Sequence, residues 1–385
     1  MDELDNRSVV VLAHPSPDLY GSDRMLIESV RALVPERRVV VTLPSGGPLA
    51  RALDDAGAEI VILPVPVLRK AYMSPLGLVR LAASATRALP RAVGLLRRHK
   101  AAALYVNTVT VPLWLVAGRL ARVPSLCHVH EAEDGVPGPV RAALALPLRL
   151  AKVLVVNSRA SAAALGRPGE RGVVIYNGVD GPGRFAGPRA EIAGPARVVL
   201  VGRLSPRKGT DVAVRAVRLL RERGHDVSLT LVGSVFPGYE WYEAELRELA
   251  DEHVTFAGFR SRVWDSFAEA DVAIVPSRVE PFGNVAVEAM LAGRPVVAAA
   301  TQGLTEIVSD GDNGVLVPPD DPAALADGIA RLLADWDGAL AMADRGRDDA
   351  VRRFGQDRYH RELRETVRDL IDGHDAPAPS RTQSI

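Results

Sequence analysis

The chain repeats one pattern: a short apolar run rich in β-branched residues, a turn, then a segment of helical period. Strand-like runs stand at Ser8–Ala13, Arg38–Leu43, Ala58–Leu63, Ala102–Val106, Ser125–His130, Lys152–Asn157 and Gly172–Tyr176. The pattern restarts after a Gly/Pro-rich stretch, Asp180-Gly181-Pro182-Gly183 to Gly187-Pro188, with runs at Arg197–Val201, Val227–Val232, Val254–Phe256, Asp271–Val275, Pro295–Ala299 and Val315–Val317. Continuous apolar strands separated by helices specify parallel sheets covered on both faces. At 385 residues the chain is also long for a single core. The expectation is an α/β protein of two doubly wound domains facing across a cleft, with ligands held beyond the C-terminal ends of the strands. The domains are expected over 1–182 and 190–355. A helix over 356–372 should pack back towards the first, and 373–385, with its Ala376-Pro377-Ala378-Pro379 run, should be a disordered tail.

Zero net charge hides an asymmetry. The first half is basic and the second acidic, and between Glu59 and Glu131 there is no acidic residue. Such a stretch fits an anionic surface, substrate or lipid. The segment from Leu76 to Lys100 carries Arg80, Arg87, Arg91, Arg97 and Arg98 among leucines and alanines. It reads either as a helix lying on an anionic membrane or as one with a solvated basic face, kinked or split at Pro90. Little aromatic interleaving and an acidic second half speak against nucleic acid. The single cysteine, Cys127, excludes a disulfide framework within the chain. No apolar run is long enough to span a bilayer, and the acidic N-terminus lacks a signal-peptide core, so a cytoplasmic protein is expected.

Chemistry gathers at the turns after strands. After the first strand of the second half comes Gly202-Arg203-Leu204-Ser205-Pro206-Arg207-Lys208-Gly209. A planar guanidinium, a compact ammonium and a helix N-terminus together suit a diphosphate. A solvated basic turn is the plainer alternative. Neither a G-x-G-x-x-G turn nor a Walker P-loop is present, which lowers dehydrogenase and ATPase readings. Further on, Pro276-Ser277-Arg278-Val279-Glu280-Pro281-Phe282-Gly283-Asn284 leads into a helical segment that carries Glu288. Glu280 sits on the loop and Glu288 about one turn into the helix, where a carboxylate can accept from both hydroxyls of a ribose. As a lone residue Glu288 could equally be a surface charge. His128 and His130 share one face of a strand. They suit a polar contact to a sugar or leaving group, or a satisfied half-buried position, better than zinc, for which no third ligand is evident.

In order and spacing these segments resemble the retaining GT-B-fold glycosyltransferases of family 4, glycosyltransferase group 1. The resemblance runs from about Val9 to Ile371. It rests on E-P-F-G-N-V-A-V-E from Glu280 to Glu288, G-R-L-S-P-R-K-G over 202–209, N-S-R-A over 157–160, Y-N-G-V-D over 176–180 and G-L-T-E-I-V with D-G-D-N-G-V-L-V-P-P-D over 303–320. It implies two Rossmann-like domains and a nucleotide-diphosphate sugar as co-substrate, with no cofactor and no metal. By the same resemblance Gly202, Arg203 and Lys208 hold the diphosphate, and Glu280 takes the donor sugar's hydroxyls. Glu288 takes the ribose. Phe282, Gly283, Asn284 and Val285 offer amides, Phe259 and Arg260 line the base pocket, Gly21 and Ser22 approach the diphosphate or acceptor, and His130 stands near the donor sugar. The first glycine turn departs from the family pattern, reading Tyr-Gly-Ser-Asp where many members have two adjacent glycines. The implied reaction is same-face transfer of a hexose-type sugar to a glycan, lipid-linked or small-molecule acceptor. The basic, acid-free stretch adds an anionic membrane surface as a further expected partner. An epimerase or hydrolase of the same fold, or a silent sugar-nucleotide-binding protein, are the alternatives.

Overall fold

A computed structural model of the protein describes residues 7–18, 21–68, 75–130 and 145–374. The chain divides into two compact units, Met1–Gly178 with Gln356–Ile385, and Val179–Gly355. The expected tail lies, from residue 375 on, outside the described residues.

Unit 1 is built on seven strands: β1 (Val9–Ala13), β2 (Arg38–Leu43), β3 (Glu59–Ile62), β4 (Ala103–Asn107), β5 (Ser125–Val129), β6 (Val153–Val156) and β7 (Val173–Val174). Their order is β3-β2-β1-β4-β5-β6-β7, and every pairing is parallel. The strand expected over Gly172–Tyr176 shortens to two paired residues, Val173 and Val174, at the sheet edge against Val155 and Val156 of β6.

Alternation along β1 decides the layers. Val10 and Leu12 pack with Leu26, Val30 and Leu33 of the helix Gly21–Leu33. Val9, Val11 and Ala13 face Leu95, Leu96 and Leu115 on the opposite side. The helix Pro75–Arg98 continues through Pro90 rather than splitting there. Proline removes a donor to the carbonyl of Thr86, but Thr86 is exposed, so water can replace that bond.

The C-terminal helix Gln356–Asp372 belongs to this unit. Its residues Tyr359, Leu363, Val367 and Leu370 recur at helical spacing and complete the core beneath the helix Gly21–Leu33. The Tyr359 hydroxyl lies 2.7 Å from Ser29 Oγ, which donates to the Met25 carbonyl at 2.8 Å and lies 3.0 Å from the Tyr105 hydroxyl.

Unit 2 has six strands: β8 (Ala196–Val201), β9 (Val227–Val232), β10 (Val254–Gly258), β11 (Val272–Val275), β12 (Val296–Ala299) and β13 (Val315–Val317). They run parallel in the order β10-β9-β8-β11-β12-β13. Leu229, Leu231, Ile274 and Val297 pack with Val214 and Val217 of the helix Thr210–Glu222 and with Leu325 and Ile329 of the helix Pro322–Ala334. At the N-terminal edge the buried Asp271 carboxylate accepts from Arg189 Nε at 2.8 Å, the Arg197 amide at 2.7 Å and Arg197 Nη2 at 3.1 Å.

In both sheets the chain winds outward from its first strand, β1 or β8, then returns across that strand to start the other side at β4 or β11. At such a reversal the loops after the two central strands diverge and leave a crevice at the sheet's C-terminal edge.

Because Leu363 is fully buried in the unit 1 core, Leu363→Ala should destabilise that unit by about 2–5 kcal/mol. The check is a lower urea midpoint for unit 1, with hydrogen exchange in unit 2 unchanged.

Candidate functional site

At the reversal in unit 2, the loop after β8 and the loop after β11 are joined directly. Lys208 Nζ donates to Glu280 Oε2, and Ser277 Oγ donates to the same oxygen at 3.1 Å. The Glu280 amide donates to Gln302 Oε1 at 2.9 Å, and its carbonyl accepts from the Gly303 amide at 3.0 Å. Glu280 is buried and Lys208 half-buried, so the pair is set into the edge rather than waving from it.

Backbone geometry brings these loops together. Gly209 lies in the left-handed region at φ 66°, and a Cβ there would stand 2.0 Å from the Pro276 carbonyl oxygen. Only glycine lets the chain turn into the helix Thr210–Glu222 this close to β11. Gly303 has no room either, since its Cβ would lie 2.4 Å from the Pro281 and Phe282 oxygens. Beside it, Gln302 is held at φ 40°.

Behind the pair, Arg278 clamps the same two loops. Its guanidinium donates to both oxygens of Asp211 at 2.8 Å, to the Pro206 carbonyl at 2.5 Å and to Asp320 at 2.8 Å. Burial would raise the Asp211 carboxyl, but hydrogen bonds from Arg278 and Tyr242 outweigh it and hold the group below its usual range. The Asp211 hydrogen bonds hold Arg278 above its own.

The second acid follows from the turn. Gly283 precedes the helix Asn284–Leu291, and the Ala286 and Val287 amides donate back to its carbonyl at 2.9 and 3.3 Å. The amides of Asn284 and Val285, in the first turn, have no carbonyl of their own helix to meet. Ala286, Val287, Ala289, Met290 and Leu291 are buried, so Asn284, Val285 and Glu288 form the half-buried stripe of this helix. The Phe282 ring is an anchor, buried edge-on against Phe354 at 5.6 Å between centroids.

Arg203 follows Gly202, whose amide donates to the Val232 carbonyl at 2.9 Å. Its guanidinium lies over the Phe236 ring, 3.1 Å from the centroid. Phe259 and Arg260 follow β10, with β9 between them and β8. Phe259 is 70% exposed, while Arg260 donates to Ser266 Oγ at 3.2 Å and Glu269 Oε2 at 2.9 Å. The structure therefore bonds Lys208 to Glu280, and sets Gly202, Arg203, Phe259 and Arg260 along the same C-terminal edge.

The reversal in unit 1 carries a second constellation. Gly21 and Ser22 fall in the first turn of the helix Gly21–Leu33, and Tyr20 lies outside the described residues. His130, just past β5, has its Nε2 2.9 Å from Asn107 Oδ1. Asn107 Nδ2 is 2.8 Å from His14 Nδ1, and His14 Nε2 is 2.7 Å from Asp23 Oδ1. The His128 ring lies 4.1 Å from that of His130, with its Nδ1 2.5 Å from the Tyr105 hydroxyl. Burial lowers the His130 pKa to about 3, with the neighbouring His14 adding to the shift and Asp23 opposing it. Burial, then His130, holds His128 well below its usual value.

Sequence reasoning missed Ser277, Arg278, Gln302, His14, Asp23 and Asn107 as site residues. His14 immediately follows a strand, Asn107 ends one, and Ser277, Arg278 and Gln302 come soon after one, so position at a strand's C-terminal end was the available signal.

The fold and these edges are those of the GT-B glycosyltransferases. Residues 20–181 match the family model Glycosyltransferase Family 4, and residues 195–335 match Glycosyl transferases group 1. The chain belongs to this family. The crystal structure of Anabaena HepE in complex with UDP and glucose superposes with a TM-score of 0.78 at 25% identity, covering 94% of this chain and 100% of that one. A D-inositol 3-phosphate glycosyltransferase of Acidothermus cellulolyticus is 34% identical over 298 residues, 71% of this chain and 65% of that protein. An uncharacterized glycosyltransferase of Methanocaldococcus jannaschii is 34% identical over 168 residues, 43% of each chain. The chain thus aligns with less than two thirds of the length of either curated relative.

Below about pH 6.5 an unfolded histidine takes up a proton, whereas native His130 resists it down to about 3. Protons therefore favour the unfolded state through that window, and stability falls as pH is lowered from 6.5 towards 3. The melting temperature of His130→Gln should fall less steeply over this range than that of the wild type.

Proposed function

We propose that the chain is a retaining glycosyltransferase that moves a hexose-type sugar from a nucleotide-diphosphate sugar to an acceptor. The Lys208–Glu280 pair, set at the strand-order reversal of unit 2, carries the reading. Without ligand, the ammonium and carboxylate satisfy each other. A diphosphate would draw Lys208 to itself, leaving Glu280 to accept hydrogen bonds from the donor sugar's hydroxyls. Arg203 and the N-terminus of the helix Thr210–Glu222 add positive potential on the same edge.

The reaction follows from charge. Breaking the anomeric C–O bond builds positive charge on the sugar and negative charge on the departing diphosphate. Fixed cations aimed at the departing group favour the transition state over the ground state, so Arg203 and Lys208 do the electrostatic work without a metal. Glu288 takes the ribose hydroxyls, with the amides of Phe282, Gly283, Asn284 and Val285 beside it. Phe259 and Arg260 flank the base, and Gly21, Ser22 and His130 serve the diphosphate, sugar or acceptor. The acceptor attacks from the face the diphosphate leaves, and a departing phosphate oxygen takes its proton. Neither glutamate is a covalent nucleophile. The UDP-glucose complex of HepE supports a nucleotide-sugar donor, and the name of the Acidothermus relative supports an anionic small-molecule acceptor.

A membrane surface is the second partner proposed. Arg80, Arg87, Arg91 and Arg98, spaced 7, 4 and 7 residues apart, fall on one line of the helix Pro75–Arg98. Among the described residues none of the four is paired with a carboxylate, and Arg91 and Arg98 border an apolar groove of Val61, Ile62, Leu63 and Leu95. A row of unpaired guanidiniums fits a plane of lipid phosphates. No helix among the described residues is long and apolar enough to cross a membrane, so attachment would be peripheral.

Three measurements test this function. In a thermal-shift panel of UDP-, GDP-, ADP- and TDP-sugars, one base should raise the melting temperature. Product NMR should show the donor's anomeric configuration kept, and inversion would overturn same-face attack. Lys208→Ala should lower kcat about 100–1,000-fold, and unchanged kinetics would remove Lys208 from the reaction. Release of free sugar, or an epimerised donor, in the absence of acceptor would favour the hydrolase or epimerase reading.

The protein should also sediment with anionic vesicles at low salt. Changing all four stripe arginines to glutamine should release it, and equal binding to neutral vesicles would exclude a charge-led contact.

A further inference from the structure

We propose that the groove between the edge strand β3 and the helix Pro75–Arg98 holds one hydrocarbon chain of an anionic lipid, whose phosphate rests on Arg91 and Arg98. This deepens the membrane contact proposed above, which it rests on, from a charged row meeting a surface to a site for one lipid molecule.

Sheet topology makes the groove. β3 is the last strand on its side of the sheet. Val61 and Leu63, at its C-terminal end, pack towards the layer of that helix, yet both stay half-buried. Ile62 between them is 49% exposed. The opposite wall is Pro90, Arg91, Gly94, Leu95 and Arg98, with Leu95 fully buried. Gly94 opens the space, since a Cβ placed there meets no atom within 4 Å. The groove measures about 480 Å³, within the range of small-ligand sites.

Charge on the rim selects the occupant. The charged groups that line the groove are both guanidiniums. Seven residues separate them, so they stand on one side of the helix, about 10 Å apart along its axis. Among the described residues neither makes a hydrogen bond or ion pair, whereas Arg97 donates to the Leu120 carbonyl at 3.1 Å. No acidic residue occurs between Glu59 and Glu131 to answer them. An apolar trough with uncompensated cations on its rim suits a molecule that is apolar along its length and anionic at one end. A peptide strand added to β3 would lie in the plane of the sheet and leave the trough on the helix face unfilled. Arg80 and Arg87 continue the row along the same helix, where further headgroups can meet it.

Chain length separates this site from a charged surface. Each methylene that leaves water for the groove should tighten binding about fourfold, until the groove is full. A row of guanidiniums alone gives no such dependence.

The test titrates the full chain by calorimetry with hexyl, octyl and decyl phosphate, each below its micelle concentration. One saturable site is expected, tightening about 16-fold from each phosphate to the next until the groove is full. Gly94→Leu fills the groove, keeps the arginines and suits a helix better than glycine. It should weaken decyl phosphate at least about tenfold. Arg91→Gln with Arg98→Gln should weaken octyl phosphate about tenfold and leave binding of 1-octanol unchanged.

Affinity that ignores chain length overturns the proposal, as does Gly94→Leu binding like the wild type. An equal effect of the double glutamine variant on octanol and octyl phosphate overturns the anionic head. Should Gly94→Leu fail to fold, Ile62→Glu decides, because it sets a carboxylate on the exposed wall, and unchanged binding there refutes the site. If the protein does not sediment with anionic vesicles, the surface contact fails while the titration still reads the groove. Sedimentation without chain-length dependence keeps the surface contact and removes the groove.

Discussion

What the chain's chemistry depends on is the return of each parallel sheet across its own first strand. A parallel strand cannot follow its neighbour directly, so every connection crosses the sheet's face and delivers its loop to the same edge. Where winding changes side, two such loops face each other with no crossover helix over them. Lys208 and Glu280 meet there in unit 2. His14 and Asn107 meet at the equivalent place in unit 1. The same topology has built two different arrangements, an ion pair set into an edge and a buried cluster of histidine, asparagine and aspartate.

The two devices treat charge in opposite ways. In unit 2, mutual hydrogen bonds hold the Asp211 carboxyl below its usual range and the Arg278 guanidinium above its own, against the pull of burial. In unit 1, burial suppresses protonation of His128 and His130. A site that receives a polyanion has use for standing positive charge. An imidazole kept neutral by burial offers one donor and one acceptor instead.

Much of this was legible in the sequence because it is local. Runs such as Val9–Ala13 or Val272–Val275 announce strands by composition, and Pro281 with Gly283 separates Glu280 from the helix that carries Glu288. What was not legible joins residues far apart. Asn107 reaches His14 across 93 positions, and Arg278 reaches Asp211 across 67. No spacing rule links such pairs before the strand order is known. Pro90 shows the converse, since a local rule allowed a kink or a split and the helix Pro75–Arg98 runs through it unsplit.

The C-terminal helix has one more consequence, in the order of events on the ribosome. Val179–Gly355 is one uninterrupted stretch, so unit 2 can close its core as soon as it emerges. Unit 1, though made first, lacks Tyr359, Leu363, Val367 and Leu370 until the last helix is translated. The core of unit 1 is therefore closed by residues that lie beyond the whole of unit 2 in the chain, so its completion is a long-range event while that of unit 2 is not.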